Sequence, residues 1–428
     1  MIKVLKFGGT SVGSAANMKK VAEIVRREQA RITVLSAMSG TTDSLVRISR
    51  AAASGDRNAI EEQLAMLTDK YTRCIEELLR ERKQQALARM NATFGLIRDE
   101  AAAFEEYESE RKIIAQGELL TSAIFTAYLQ ETGLKAECLY SPDFMVKDPG
   151  EKVDTERIGR ALARVAGDDS TFFVAQGFIC SDSQGRIDNL GRGALMGAAV
   201  EAAEVQIWTD IDGMHNNDPR FVDNTRPIRT MSFDEAAELA YFGAKILHPA
   251  TIQPCKDHGI AVLLKNTMDP EAPGTTISNR DDDTKSFHAV AAKDGITVIR
   301  IHSARMLMAY GFLRKVFEIF EQYRTPIDMI TTSEVAVSLT VDNDSHIDEI
   351  VRDLSALGSI EIERGNSIVC VVGRMEHGDA GLAARVFECV RGVPIKMISY
   401  GASHRSLAIL IDTEHKKRTL QCLNDGLF

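Results

Sequence analysis

The chain has 428 residues, more than one ordinary hydrophobic core accommodates, so two or three domains are expected. With 44% hydrophobic and 26% charged residues its composition is that of a soluble globular protein, and no apolar run reaches the roughly 18 residues of a membrane span. A net charge of −10 argues against a general binder of nucleic-acid backbone.

The N-terminal Met1-Ile2-Lys3-Val4-Leu5 already reads as a strand and lacks the layout of a secretory signal. The seven cysteines, Cys74, Cys138, Cys180, Cys255, Cys370, Cys389 and Cys422, form no CxxC pair. An odd number without pairing suits a reducing cytoplasm, and all seven are expected to be small buried apolar residues. Short apolar strands are predicted at 2–6, 32–36, 171–179, 205–209 and 261–264. Helical periodicity lies between them at 18–29, 59–81 and 233–239, which makes an α/β layout with a mostly parallel sheet. Residues 48–112 are charged and helical and read as an excursion from that sheet.

Pro270-Glu271-Ala272-Pro273-Gly274-Thr275 and the polar run 278–285 mark a boundary. Beyond it, strand 296–302, helix 311–323, strands 326–331 and 335–341, helix 346–357 and strand 359–363 follow one another. That order is β-α-β-β-α-β, a ferredoxin-like unit. A second copy runs through strand 367–372, helix 382–390, strands 395–399 and 407–411 and helix 414–423, without a last strand of its own. The strand predicted at 287–292 supplies it, which interleaves the two copies. The expected domains are thus 1–280, then 296–363, then 286–292 with 364–428.

Lys6-Phe7-Gly8-Gly9-Thr10-Ser11 follows the first strand and precedes a helix. Adjacent glycines let backbone N–H groups approach a phosphate, a helix N-terminus favours anions, and a lysine brings a cation to a transferring group. Neither GxGxxG nor a P-loop is present. Further motifs come in order: Leu35-Ser36-Ala37-Met38-Ser39-Gly40-Thr41-Thr42-Asp43, Gln116-Gly117-Glu118, Gln176-Gly177-Phe178, Leu190-Gly191-Arg192-Gly193, Trp208-Thr209-Asp210-Ile211-Asp212-Gly213 and Phe242-Gly243-Ala244-Lys245-Ile246-Leu247-His248-Pro249.

As an ordered set these motifs resemble the aspartokinase branch of the amino-acid kinase superfamily, of the monofunctional, lysine-sensitive type with C-terminal ACT domains. The resemblance covers essentially the full chain. It implies a three-layer αβα kinase fold followed by two interleaved ACT units, and transfer of the γ-phosphoryl group of ATP, with Mg²⁺, to the β-carboxylate of L-aspartate. Carried onto this sequence, Lys6, Gly8 and Gly9 hold the phosphates. Ser36, Thr42, Glu118, Phe178 and Arg192 line the aspartate site, Glu118 pairing with the ammonium and Arg192 clamping a carboxylate. Thr209, Asp210, His215, Arg220 and Lys245 contact the nucleotide, His215 standing where many relatives carry Tyr. No metal ligand is assignable. The nucleophile is a carboxylate already ionised at neutral pH, so the task is to align two anions and neutralise charge.

The stretches Met306-Leu307-Met308-Ala309-Tyr310-Gly311-Phe312-Leu313 and Ile327-Asp328-Met329-Ile330-Thr331-Thr332-Ser333-Glu334 resemble the family's lysine sensor. The implied effector residues are Met306, Ala309, Gly311, Phe312, Leu313, Ile327, Asp328, Ser333 and Glu334, with the two acids facing the cationic groups of lysine. A homodimer, or a dimer of dimers, through the ACT units is implied as well. Other readings stay open: Glu118 as a favourable charge at a helix start, Asp328 as a solvated strand end, a kinase of another amino acid such as glutamate, and a catalytically silent amino-acid-binding regulator.

In the family, Leu-Gly-Arg-Gly continues with Gly-Ser-Asp and a short polar stretch. Here Gly193 runs straight into Ala194-Leu195-Met196-Gly197, about six residues short by the family pattern, without the aspartate that organises the phosphoryl site. Either the carboxylate has been lost, or a loop is missing from the sequence as read. The near absence of a connection between Gln29 and Arg31 favours the second, and residues 147–150 suggest another gap. Intact mass decides: a protein weighing what its 428 residues weigh has lost the carboxylate.

Overall fold

Val4, Leu5 and Phe7 of β1 (Lys3–Phe7) are all fully buried. A strand buried on both faces belongs in a parallel sheet covered by helices, and the computed structural model contains one. It describes residues 2–148, 153–167, 170–189, 195–243, 249–280, 286–306, 310–375 and 381–428. The chain divides into two units, residues 1–214 with 250–280 and residues 215–249 with 281–428. Among the described residues no helix is long and apolar enough to cross a membrane.

The first unit continues with α1 (Ala15–Glu28), β2 (Ile32–Leu35), α2 (Thr41–Ser54), α3 (Arg57–Leu78), α4 (Lys83–Ala102), α5 (Glu106–Glu131) and β3 (Ala136–Cys138). Then come α6 (Thr155–Gly167), β4 (Phe172–Gln176), β5 (Ile179–Ser181), β6 (Ile187–Asn189), α7 (Leu195–Ala199) and β7 (Glu204–Thr209). After β8 (Thr230–Ser232) and α8 (Phe233–Tyr241), both of the second unit, the first unit resumes with α9 (Pro249–Asp257), β9 (Ala261–Asn266) and β10 (Thr275–Ser278). Its sheet runs β3-β4-β2-β1-β7-β9-β10, parallel throughout except for β9 against β10. Helices α1 to α5 bury their apolar faces in one core with Leu5, Phe7, Leu35, Val174 and Trp208, and the Phe7 and Trp208 rings stack at 5.9 Å.

Several expectations change here. The strand predicted over 171–179 breaks after Gln176, because the N–H groups of Gly177 and Phe178 turn to a side chain, Glu118, instead of a neighbouring strand. The helical excursion runs wider than 48–112, from Thr41 to Glu131. Helix α5 starts at Glu106, so Glu118 sits in mid-helix and is no N-terminal charge. The tight junction after α1 needs no missing loop: Gln29 takes the left-handed conformation (φ 50°, ψ 41°), and the N–H groups of Gln29 and Ala30 close onto the carbonyls of Arg26 and Val25. The suggested gap at 147–150 falls partly outside the described residues. Of the cysteines, Cys74, Cys180, Cys255 and Cys370 are buried, but Cys138 is exposed and Cys389 and Cys422 are half-buried.

The second unit is built on β11 (Phe287–His302), α10 (Phe312–Gln322), β12 (Ile330–Thr332), β13 (Ala336–Val341), α11 (Ile347–Leu354), β14 (Ser359–Gly373), α12 (Gly381–Cys389), β15 (Met397–Tyr400), β16 (Ser406–Asp412) and α13 (Lys416–Leu427). Its six strands form one antiparallel sheet in the order β12-β13-β11-β14-β16-β15. The two ferredoxin-like copies are interleaved, as the strand count expects. The strands predicted separately at 287–292 and 296–302 are, however, one 16-residue strand, and those at 359–363 and 367–372 are one of 15 residues. Register shifts between Lys293 and Val298 let β11 and β14 pass from one copy to the other without breaking the ladder.

Candidate active site

The C-terminal ends of parallel strands are where an open α/β sheet binds ligands, at the point where strand order reverses. In the first unit β1 is that point, flanked by β2 and β7. Lys6 and Gly8, Ser36, Gly177, and Thr209 with Asp210 all lie at or just past the C-terminal ends of β1, β2, β4 and β7.

The glycine loop after β1 is clamped on two sides. Gly8 N–H donates to the Trp208 carbonyl (3.2 Å), and Ser39 N–H to the Gly9 carbonyl (3.0 Å). A Cβ on Gly9 would come within 2.9 Å of the Ala37 carbonyl oxygen, so only glycine lets the loops after β1 and β2 meet. The Ser11 hydroxyl is tied to Thr267 (2.7 Å) and to the Trp208 carbonyl (3.3 Å). The Gly8 N–H is thus engaged by β7.

Glu118 is 5% exposed. Its Oε2 accepts the N–H groups of Gly177 (3.0 Å) and Phe178 (2.8 Å). Burial pushes its carboxyl up to about 7, against the pull of those N–H donors and of the Lys6 ammonium. Burial lowers Lys6 in turn, and Glu118 opposes that shift. Strand β1 and helix α5 therefore bring Lys6 and Glu118 into electrostatic reach of each other, each favouring the charged form of the other against burial. Phe178 is half-buried beside the bonded turn, and Ser36 is half-buried. Thr42 is exposed in the first turn of α2, whose N-terminus has Gly40 at the cap and no side-chain bond there. Thr209 donates its hydroxyl to the exposed Asp210 (3.0 Å).

Arg192 and Lys245 fall outside the described residues. The strand leading toward Arg192 is pinned by Asp188, which binds Arg111 (2.5 Å) and Lys147 (3.0 Å). His215 and Arg220 belong to the second unit. His215 Nδ1 meets the Thr225 hydroxyl (3.0 Å), and Arg220 is bound by both oxygens of Asp218. Among the described residues no group of three or more His, Cys, Asp or Glu side chains stands together to hold a metal.

In the sensor half, Met306, Phe312, Leu313 and Ile327 pack in or against the apolar core of the first copy. Gly311 caps α10 at φ 79°, Ser333 and Glu334 are exposed, and Ala309 lies outside the described residues. Asp328 is no solvated strand end. Its side chain is 2% exposed, and Oδ1 accepts from the Tyr241 hydroxyl (2.8 Å) and Lys293 (2.8 Å) while Oδ2 is buried with no partner among the described residues. Lys293 also binds Asp342 (2.7 Å).

The second copy repeats this with the signs exchanged. Lys396 occupies the place of Asp328, in Pro394-Ile395-Lys396-Met397 against Pro326-Ile327-Asp328-Met329, and is held by Glu363 and Asp412. Tyr241, Lys293 and Lys396 were not singled out from sequence, although the repeated Pro-Ile-x-Met-Ile was there to find.

Fold and site together define an amino-acid kinase with a regulatory C-terminal region. The amino acid kinase family profile matches residues 1–266, and an ACT domain profile matches residues 369–427. The chain is 33% identical to the lysine-sensitive aspartokinase 3 of Escherichia coli, over 100% of this chain and 99% of that protein. It is 32% identical to the chloroplastic aspartokinase 1 of Arabidopsis thaliana, over 99% of this chain and 80% of that protein. Among solved structures, E. coli aspartokinase III in complex with aspartate and ADP (R-state) matches with a TM-score of 0.88 at 31% identity, covering both chains fully. The same enzyme with lysine and aspartate (T-state) matches at 0.83 and 32%, over 100% of this chain and 99% of that one. The chain belongs to the aspartokinase family.

With its carboxyl at about 7, Glu118 passes from mostly protonated at pH 6 to mostly ionised at pH 8. The kcat/KM for the amino-acid substrate is therefore expected to rise about tenfold from pH 6 to pH 8 and then level off, with Glu118→Gln removing the dependence at a lower plateau.

Proposed function

We propose that this chain transfers the γ-phosphoryl group of ATP to the β-carboxylate of L-aspartate, giving 4-phospho-L-aspartate, under feedback control by lysine. The observation that carries this reading is the chain-long likeness to aspartokinases, together with a buried Glu118 in electrostatic reach of Lys6 at the strand ends. Glu118 pairs with the substrate ammonium. Ser36, Thr42 and Phe178 wall the aspartate site, and Arg192 clamps its second carboxylate. Lys6 and the Gly8-Gly9 loop neutralise the phosphates, so that the β-carboxylate attacks the γ-phosphorus in line as ADP leaves. Burial of Glu118 and Lys6 keeps water from the acyl phosphate formed. Thr209, Asp210, His215, Arg220 and Lys245 are assigned to the nucleotide, which requires Arg220 to leave or share Asp218.

Mg²⁺ is expected to arrive with the nucleotide. Such an ion is commonly held by phosphate oxygens with one or two carboxylates, and the described residues offer single acids such as Asp210 rather than a cage. When bound it would neutralise charge on the β- and γ-phosphates.

For the effector, the unpartnered Oδ2 of Asp328 is the acceptor left for an ammonium group. Only the first copy presents a carboxylate at this place; the second already carries its own ammonium in Lys396. Lysine thus binds the first copy, in competition with Lys293 for Asp328, and biases a two-state kinase that assembles as a homodimer through its ACT units. The absence of an acid between Gly193 and Gly197 favours a second reading, a silent amino-acid-binding regulator.

ADP release separates these readings. Turnover with L-aspartate, and about a hundredfold less with L-glutamate, is expected; release with neither amino acid sinks the kinase. Calorimetry with L-lysine is expected to show Asp328→Ala weakening binding at least about tenfold, and unchanged binding would falsify the effector site.

A further inference from the structure

Helix α3 belongs to the helical excursion and carries none of the motifs, yet two adjacent residues on it reach the loop between β2 and α2. Tyr71 is fully buried, its ring edge-on to Phe94 at 6.0 Å. Its hydroxyl bonds the hydroxyls of Thr41 (3.3 Å) and Thr121 (3.2 Å). Thr121, three residues after Glu118 on α5, accepts the Met38 N–H (3.2 Å) and donates to the Gly117 carbonyl (2.8 Å). Lys70 donates to the Ser39 carbonyl, while the N–H of Ser39 goes to Gly9. Residues 39 and 41 are thus held from behind by one turn of α3, and residue 38 by Thr121 of α5.

The fit leaves no slack. A Cβ on Gly117 would come within 2.9 Å of the Ala37 Cβ and 3.2 Å of the Thr41 Cγ2. The loop lies against α5 at the turn that carries Glu118, held there by the hydroxyl hub as well as by this close packing. Burial holds the Tyr71 phenol above its ordinary value, so it remains a donor across the working range of pH.

We infer that Tyr71 and Lys70 are positioning residues for the amino-acid substrate: they fix the 36–42 wall against Glu118 so that one aspartate-sized ligand spans the two. This rests on the assignment of Ser36 and Thr42 to the aspartate site. The chemistry selected is an α-amino acid with a short side chain, whose ammonium meets Glu118 while the rest of the ligand meets the loop.

Steady-state kinetics on the full chain test it. Tyr71→Phe keeps the ring and removes one hydroxyl; it is expected to raise KM for aspartate about threefold to tenfold, with KM for ATP and Tm unchanged. Lys70→Met is expected to act in the same direction. Should Tyr71→Phe fold poorly, Thr121→Val is the substitute, and Thr121→Ser restores wild-type KM. Thr42→Val is the control for the underlying assignment. A KM for aspartate moved by Thr42→Val but not by Tyr71→Phe or Thr121→Val overturns the inference alone. A KM unmoved by Thr42→Val overturns the assignment and the inference with it. Parallel changes in both KM values and Tm, without rescue by Thr121→Ser, reduce Tyr71 to a structural role and also overturn it.

Discussion

A carboxylate buried in the middle of a long helix is the constraint around which the catalytic unit is arranged. Taking an ionised carboxylate out of water costs several kcal/mol unless donors and cations replace the lost solvation. Glu118 finds two backbone N–H groups at the end of β4 and an ammonium at the end of β1. Those partners tie α5 to the sheet and end the strand at Gln176. They still leave the carboxyl raised to about 7, because burial outweighs what those partners return. The helical excursion from α2 to α5 has a second purpose beside covering the sheet: it carries this acid and, through α3, the hydroxyl and ammonium that hold the neighbouring loop.

The sensor half uses the same economy of charge. Two copies of one βαββαβ unit share long strands, and each sets an ion pair where its β-α-β turn meets the strand that passes between copies. In the first copy the inner group is an aspartate with one oxygen unpartnered; in the second it is a lysine with two carboxylates around it. One sign exchange turns the same place in the repeat from a carboxylate held by a cation into a cation held by carboxylates. Tyr241 at the end of α8 shares the Asp328 oxygen with Lys293, which ties that helix to the first copy.

Strand and helix order, the α/β class and the interleaved second half were legible because each rests on local periodicity and on turn residues. The motif residues were legible because glycines, a lysine and an acid at strand ends have few other uses together. Less legible were the precise limits of elements. Nothing local says that the strand expected through residue 179 stops at Gln176, since the competitor for its N–H groups is Glu118, far away in the chain. Nor does the pattern show that residues 287–302 form one strand, because a bulge around Gly295 reads as a break.

The order of residues by itself determined the family, the two-part organisation and the chemical types at the strand ends, since these depend on spacing and side-chain chemistry alone. Only the tertiary structure decided the state of those groups. The burial that lifts Glu118 toward 7, the use of Gly8 N–H by β7, the confinement of Asp328 by Lys293 and Tyr241, and the grip of Tyr71 on Thr41 and Thr121 all join residues remote in sequence. Desolvation and hydrogen bonding belong to the space a side chain occupies, and that space is made by elements whose packing no single stretch of sequence contains.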